Sequence, residues 1–187
     1  MTKITLALIV LTALLGGCES MSPSECATAN WRERGLNDGR QGRPDSAADY
    51  HESCAKAGVQ MDVPSYRAGR TDGLQSYCRL GNAIQEGLAG RSYHEVCPLP
   101  ADQDFKVFHA AAYREQEARK TLARLQDEQK QWERELLNDK TAPQRKATLR
   151  DQLARSDRHI AEARDELRSA QHRLDRLRKE LRQQGLN

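Results

Sequence analysis

The chain has 187 residues, 30% of them charged, with 30 Lys or Arg against 27 Asp or Glu and a mean hydropathy of -0.85. That length accommodates one ordinary domain, or a small domain with an extension, and the near-balance of charge excludes the strongly basic signature of a nucleic-acid-binding protein. Composition changes along the chain: every glycine but Gly185, and every cysteine, lies before Pro98, whereas the remainder is rich in Ala, Leu, Arg, Gln and Glu. Two regions are predicted, 26–100 and 101–187.

Lys3 followed by the mostly apolar run Ile4 to Leu15 predicts a secretory signal over residues 1–17. A membrane-spanning helix needs about 20 apolar residues, and this run is too short and breaks at Gly16-Gly17. Leu15, Gly16, Gly17 and Cys18 form a lipobox, which resembles that of the bacterial lipoproteins, whose cysteine becomes the acylated N-terminus. The resemblance implies lipidation of Cys18, a tether over 18–25 and, because Glu19 rather than Asp follows the cysteine, an outer-membrane address facing the periplasm. Several acyl chains, at ~0.8 kcal/mol per buried CH₂, make such a tether effectively permanent.

Cys26, Cys54, Cys78 and Cys97 are an even set in an exported segment. In an oxidising compartment they predict two disulfides, with three connectivities open. The competing reading uses His51 with Cys54 and His94 with Cys97 as a Cys₂His₂ zinc site. Large aliphatic residues are sparse between Ala27 and Pro100, so covalent bridges worth about 2–5 kcal/mol each suit a core this thin.

The same region carries an imperfect repeat. Gly35, Gly39 and Gly42, then Gly69, Gly73 and Ser76, then Ala83, Gly87 and Gly90 recur at i, i+4 and i+7, with Asp38, Asp72 and Glu86 each preceding the middle residue. On a helix this spacing gives a smooth stripe that lets another backbone approach, and the three stretches are expected to pack on one another. Asp38-Gly39 also suits a hairpin turn, but the flanks do not alternate as strands would, which favours helices. Arg43-Pro44 ends the first helix, Asp45 can cap a second, and Asp62 before Pro64 marks the start of the one carrying Tyr66 to Cys78.

Cys26, Trp31, Gly35, Asp38-Gly39, Gly42, His51, Cys54, Gly58-Val59 and Asp62, continued by Tyr66, Gly69, Gly73-Leu74, Tyr77-Cys78, Gly87, Gly90, Tyr93 and Cys97-Pro98, resemble an uncharacterised family of small bacterial envelope lipoproteins. The likeness runs from about Cys26 to Tyr113. It implies a fold unit and a location, and no reaction.

From Ala101 onward the pattern becomes a heptad. Phe108, Ala111, Glu115, Ala118, Leu122, Leu125, Gln129, Trp132 and Leu136 step by threes and fours, and Leu149, Leu153, Ser156, Ile160, Ala163, Leu167, Ala170, Leu174, Leu177 and Leu181 continue after a break at 138–143. Thr141 and Gln144 have capping-box spacing and Pro143 suits a first helical turn. The fold class is therefore all-α: a small disulfide-stabilised Gly-rich helical domain followed by a long antiparallel coiled-coil hairpin, arms about 101–138 and 143–184. A bundle in which the long helices lie back over the Gly-rich region is the alternative.

No nucleophile elbow, phosphate-cradling loop or zinc-protease helix is present, and no cofactor is expected. His109, His159 and His172 are read as solvent-facing residues of the long helices. The expected function is that of a non-enzymatic lipoprotein, bound to membrane through its lipid and to an envelope protein, or to itself, through the coiled coil. The alternative is a glycan or small-ligand pocket, less readily a hydrolytic one, lined by Trp31, Asp38, Tyr66, Asp72, Tyr77, Glu86 and Tyr93.

Overall fold

A computed structural model describes residues 21–183 and 185. The signal segment and Cys18 lie outside the described residues. Seven helices and no strand occur among those described: α1 (Pro23–Thr28), α2 (Trp31–Arg40), α3 (Ala47–Lys56), α4 (Val63–Tyr77), α5 (Leu80–Leu88), α6 (Ala101–Leu137) and α7 (Pro143–Gln183). The chain divides into two compact units, one ending at Leu74 and the other beginning at Gln75. No helix among the described residues is long and apolar enough to cross a membrane.

In the first unit α2 and α4 run in parallel and meet backbone to backbone. A Cβ built on Gly35 would lie 1.9 Å from the Tyr66 carbonyl oxygen, and one on Gly69 would lie 1.9 Å from that of Arg32. Gly39 and Gly73 face each other in the same way: a Cβ on Gly39 would lie 2.3 Å from the Arg70 carbonyl oxygen and 3.0 Å from the Gly73 Cα, and one on Gly73 2.3 Å from that of Leu36 and 2.9 Å from the Gly39 Cα. Glycine inside a helix costs about 1 kcal/mol relative to alanine, and this close approach offsets that cost. Around the contact Met21, Cys26, Trp31, Ala47, Tyr50, Cys54, Met61 and Tyr66 form the core, and a Cys26–Cys54 disulfide with a Cα separation of 5.4 Å ties α1 to α3.

Local sequence accounts for the helix ends. Ser22 and Glu25 form a reciprocal capping box on α1, Asn30 caps α2, and the Asp62 carboxylate accepts the Ser65 N–H at the start of α4, where it was expected. Asp45 accepts the N–H of Ala47, the first residue of α3. At the other ends, Gly42, Gly58 and Gly90 adopt φ of +63°, +72° and +69° and close α2, α3 and α5 in the same manner. In each the glycine N–H bonds back three residues and the next residue's N–H bonds back five, to Asp38, Cys54 and Glu86 respectively. Gly42 and Gly90 are thus stop signals and not members of a packing stripe. The absence of glycine at Ser76 has the matching consequence: α4 simply runs on to Tyr77.

The third glycine stretch packs on α6. A Cβ on Gly87 would lie 2.5 Å from the His109 carbonyl oxygen and 2.7 Å from the Ala112 side chain. The expectation that all three stretches pack on one another is corrected accordingly, since a helix offering one small residue in the stripe seats whichever backbone its flanking apolar face brings up. Within this second unit a Cys78–Cys97 disulfide, Cα atoms 5.6 Å apart, closes the loop after α5. Both bridges join neighbouring cysteines in the sequence.

The helices α6 and α7 hold each other through the heptad positions. On α7 Leu149, Ser156, Ile160, Ala163, Ala170, Leu174 and Leu181 are buried and Leu153, Leu167 and Leu177 half-buried, so every expected seam residue turns inward. On α6 burial is graded: Phe105, Phe108, Ala111, Ala112, Glu115 and Ala118 are buried, whereas Leu122, Leu125, Trp132 and Leu136 are half-buried. The first turns of α6 are covered by α5 as well as α7, which accounts for the gradient. Pro143 is the first residue of α7, but Thr141 does not cap it; its hydroxyl donates to the Glu135 carbonyl at 2.7 Å and closes α6.

Candidate functional site

The expected ligand-binding residues fall into two sets, one in each unit. In the first, Asp38 is completely buried and fully engaged. The hydroxyls of Tyr66 and Tyr50 donate to its Oδ2 at 2.9 and 3.1 Å, and Arg43 Nη1 donates to Oδ1 at 3.1 Å. Burial, then the hydrogen bond and charge of Asp38, hold the Tyr66 hydroxyl well above the ordinary phenol range; burial and the charge of Asp38 push up Tyr50 likewise. Trp31, at 8% exposure, packs at 6.3 Å from the Tyr50 ring, which meets Tyr66 edge-on at 5.6 Å. Trp31 and Tyr66 thus build the core and do not line a cleft. Asp38 alone of this set borders one, a polar hollow of about 470 Å³ between α1 and α2 that also touches Glu33, Arg34 and Asn37.

Asp72 is a different kind of acid despite its matching place in the repeat. It is 44% exposed and pairs with Arg32 at 2.5 Å. Glu86, in the second unit, receives both the Nε and Nη2 of Arg91 at 2.7 and 2.6 Å. Two of the three acids therefore belong to one device: Asp38 and Glu86 each give the carbonyl that closes a helix end, and the arginine just past the closing glycine, Arg43 or Arg91, reaches back to the carboxylate. The signal in the sequence was acid-Gly-x-x-Gly-Arg, present twice and truncated in the middle copy.

Tyr77 and Tyr93 belong to an aromatic cluster at the start of α6. Tyr77 stacks on Phe105 at 5.2 Å, Tyr93 lies 4.5 Å from Phe105, and His109 and Tyr113 extend the row along α6. The Tyr93 hydroxyl donates to Asp102 at 2.6 Å and accepts the Cys97 N–H at 3.0 Å, which joins the disulfide loop to the first turn of α6. Burial and the bond to Asp102 raise the Tyr93 phenol; the bonds from Tyr93 and Lys106 lower Asp102. His109, read from the sequence as solvent-facing, is 8% exposed, and its Nε2 lies 2.8 Å from the Arg91 carbonyl oxygen. The misreading came from the heptad, which assigns one face of α6; α5 covers a second.

Several clefts of the second unit are open to solvent, a small one of about 220 Å³ beside Ala118 and Ala163 among them. One of about 610 Å³ is walled by Tyr93, His109, Tyr113 and Glu117, and one of about 400 Å³ runs between α6 and α7 beside Val107 and Arg173. Among the described residues no group of His, Cys, Asp and Glu is arranged to hold a metal. Cys54 and Cys97 are each consumed by a disulfide, and His51 and His94 are exposed, so the zinc reading has no thiolates to draw on. Glycan hydrolysis needs two carboxyl groups facing one space, and the three acids are each bonded to a different arginine.

Residues 30–114 match a family model described as Protein of unknown function (DUF2799). The match begins at the cap of α2 and ends in the aromatic row of α6, so it takes in both helix-closing devices, the paired glycine stripes and three of the four bridging cysteines. No significant match was found among curated proteins or among solved structures. The matched span coincides with most of the stretch that resembled an uncharacterised family in the sequence. The rest of α6 and all of α7 stand outside the matched span.

Proposed function

We propose that the protein is a non-enzymatic interaction module of the bacterial envelope, anchored in the outer membrane through a lipidated Cys18, facing the periplasm, and working through α6 and α7 as an antiparallel coiled-coil hairpin. The observation that carries the reading is the pairing of α6 with α7. Glu135 bonds Arg145 across the connection, Gln129 Nε2 donates to Asp157 Oδ1 at 2.6 Å, and further back Ala118 shares a cleft with Ala163 and Val107 one with Arg173. The partners recede in opposite directions from the connection, as in a hairpin, and at 1.5 Å per residue each arm runs about 55–60 Å. Such a surface is large for binding and empty of chemistry. Engagement of Asp38, Asp72 and Glu86, the acids of the candidate ligand pocket, in arginine pairs supports a structural role for the rest, and two disulfides suit an oxidising compartment.

The test is photocrosslinking in intact cells from single exposed positions of the full-length protein. Arg124, Lys130 and Arg150 on the hairpin are expected to give a discrete adduct with an envelope protein or a second copy, and Arg40 and Lys56 of the first unit none. Adducts from Arg40 and Lys56 alone, or from none of the five, would overturn the reading.

A further inference from the structure

Near the start of α6 the surface carries cations that meet no acidic partner among the described residues. Lys106, Val107, Ala110, Ala111 and Arg114 of α6, with Arg173 of α7, line the cleft of about 400 Å³. Its lining is cationic and apolar, with no acid. Lys106 is neutralised by Asp102 and Glu95, but Arg114 and Arg173 stand without an acidic partner among the described residues. In the same lining Val107 keeps 45% of its surface in water, one of three large apolar side chains so exposed among the described residues. Ala110 and Arg114 also border the cleft of about 610 Å³, whose wall includes Glu117.

We infer that this cleft of about 400 Å³ binds an acidic segment of a partner protein, its carboxylates on Arg114 and Arg173 and an adjoining apolar side chain on Val107 and Ala110. The inference rests on the reading of α6 and α7 as the interacting module, and adds the place and the chemistry of the partner. A guanidinium takes a carboxylate through two parallel hydrogen bonds, and the attraction is stronger in a groove, where water is partly displaced, than on an open face. Shape selects the occupant. A bilayer surface presents its charges in a plane and cannot lower them between two helices, whereas Asp and Glu carry theirs on short flexible stems.

The experiment places a photoreactive residue at Val107 or Ala110 of the full-length protein in cells and identifies the crosslinked peptide by mass spectrometry. The expected adduct is with one protein, within a few residues of Asp or Glu. Arg114→Glu and Arg173→Glu should each lower its yield about tenfold, the equivalent of 1.4 kcal/mol, while Arg158→Glu, on an exposed face elsewhere on α7, leaves it unchanged. Adducts with lipid, with a second copy or with a segment lacking acids would overturn the inference, as would indifference to both charge reversals. Adducts from Lys130 and Arg150 without any from Val107 and Ala110 would sink this groove and leave the interaction reading standing; silence at all four positions would sink both.

Discussion

The two units hold helices together by opposite means. In the first, α2 and α4 touch through main-chain atoms at four glycines, and a single buried carboxylate gathers two tyrosines and an arginine. In the second, α6 and α7 pack through a repeating row of side chains that is buried along the whole of α7 and progressively less so on α6 toward the connection. A main-chain contact has no slack, because neither partner can rotate away. A side-chain seam yields gradually. The first arrangement suits a fixed scaffold and the second a long surface that meets something else.

The sharpest way to break the comparison is to put a methyl group into the glycine contact. Gly35→Ala and Gly69→Ala each force a carbon against a carbonyl oxygen at 1.9 Å. Each should cost the first unit about 3 kcal/mol, and together they should prevent it from folding. Trp31 reports on this unit and Trp132 on α6, so fluorescence of variants retaining one or the other follows each separately. Wild-type stability in the double variant would show that the helices are free to part. The seam should respond by position instead: Leu174→Ala, fully buried, is expected to cost about 3 kcal/mol and Leu136→Ala, half-buried, about 1. Equal losses would contradict the gradient.

A smaller effect separates the acids of the repeat. Asp38→Asn should cost about 2 kcal/mol, since buried charge-assisted bonds are lost, and Asp72→Asn well under 1, because its pair with Arg32 is exposed. Equivalent changes on denaturant unfolding would mean that burial does not distinguish them. The mildest perturbation is alkali. Tyr50, Tyr66, Tyr77 and Tyr93 all titrate above the ordinary phenol value in the folded protein. The folded state therefore holds these protons more tightly than the unfolded one. Their contribution to stability is complete below about pH 10, and is lost as pH rises beyond it toward the folded-state values. Ultraviolet titration should show these four phenols ionising together with unfolding; free ionisation at pH 10 with the helical signal intact would contradict the buried network.

Much of the fold was legible because it is local. The heptads fixed α6 and α7, Asp62 and Pro143 marked helix starts, and the i, i+4 glycines at 35, 39, 69 and 73 announced a close backbone approach. What escaped was decided at long range. Asp38 and Asp72 occupy the same place in the repeat, yet only the arrival of Tyr50 and Tyr66 makes one of them a buried anchor. Tyr50 itself went unsingled, although Ala47, Tyr50 and Cys54 sit at helical spacing on one face. The disulfide pairing, the partner of Gly87 and the burial of His109 likewise depend on which elements meet. The helix-closing role of Gly42 and Gly90 could have been read from the arginine that follows each.

The scaffold and the two long helices have the proposed envelope role only if residue 18 is held at a membrane in an oxidising compartment. Mass spectrometry of the intact protein purified from membranes tests that directly. The account predicts a mature chain beginning at Cys18 and carrying the mass of several acyl chains, with Cys26 bonded to Cys54 and Cys78 to Cys97. A chain that begins at Met1, bears no lipid and has four free thiols would contradict it.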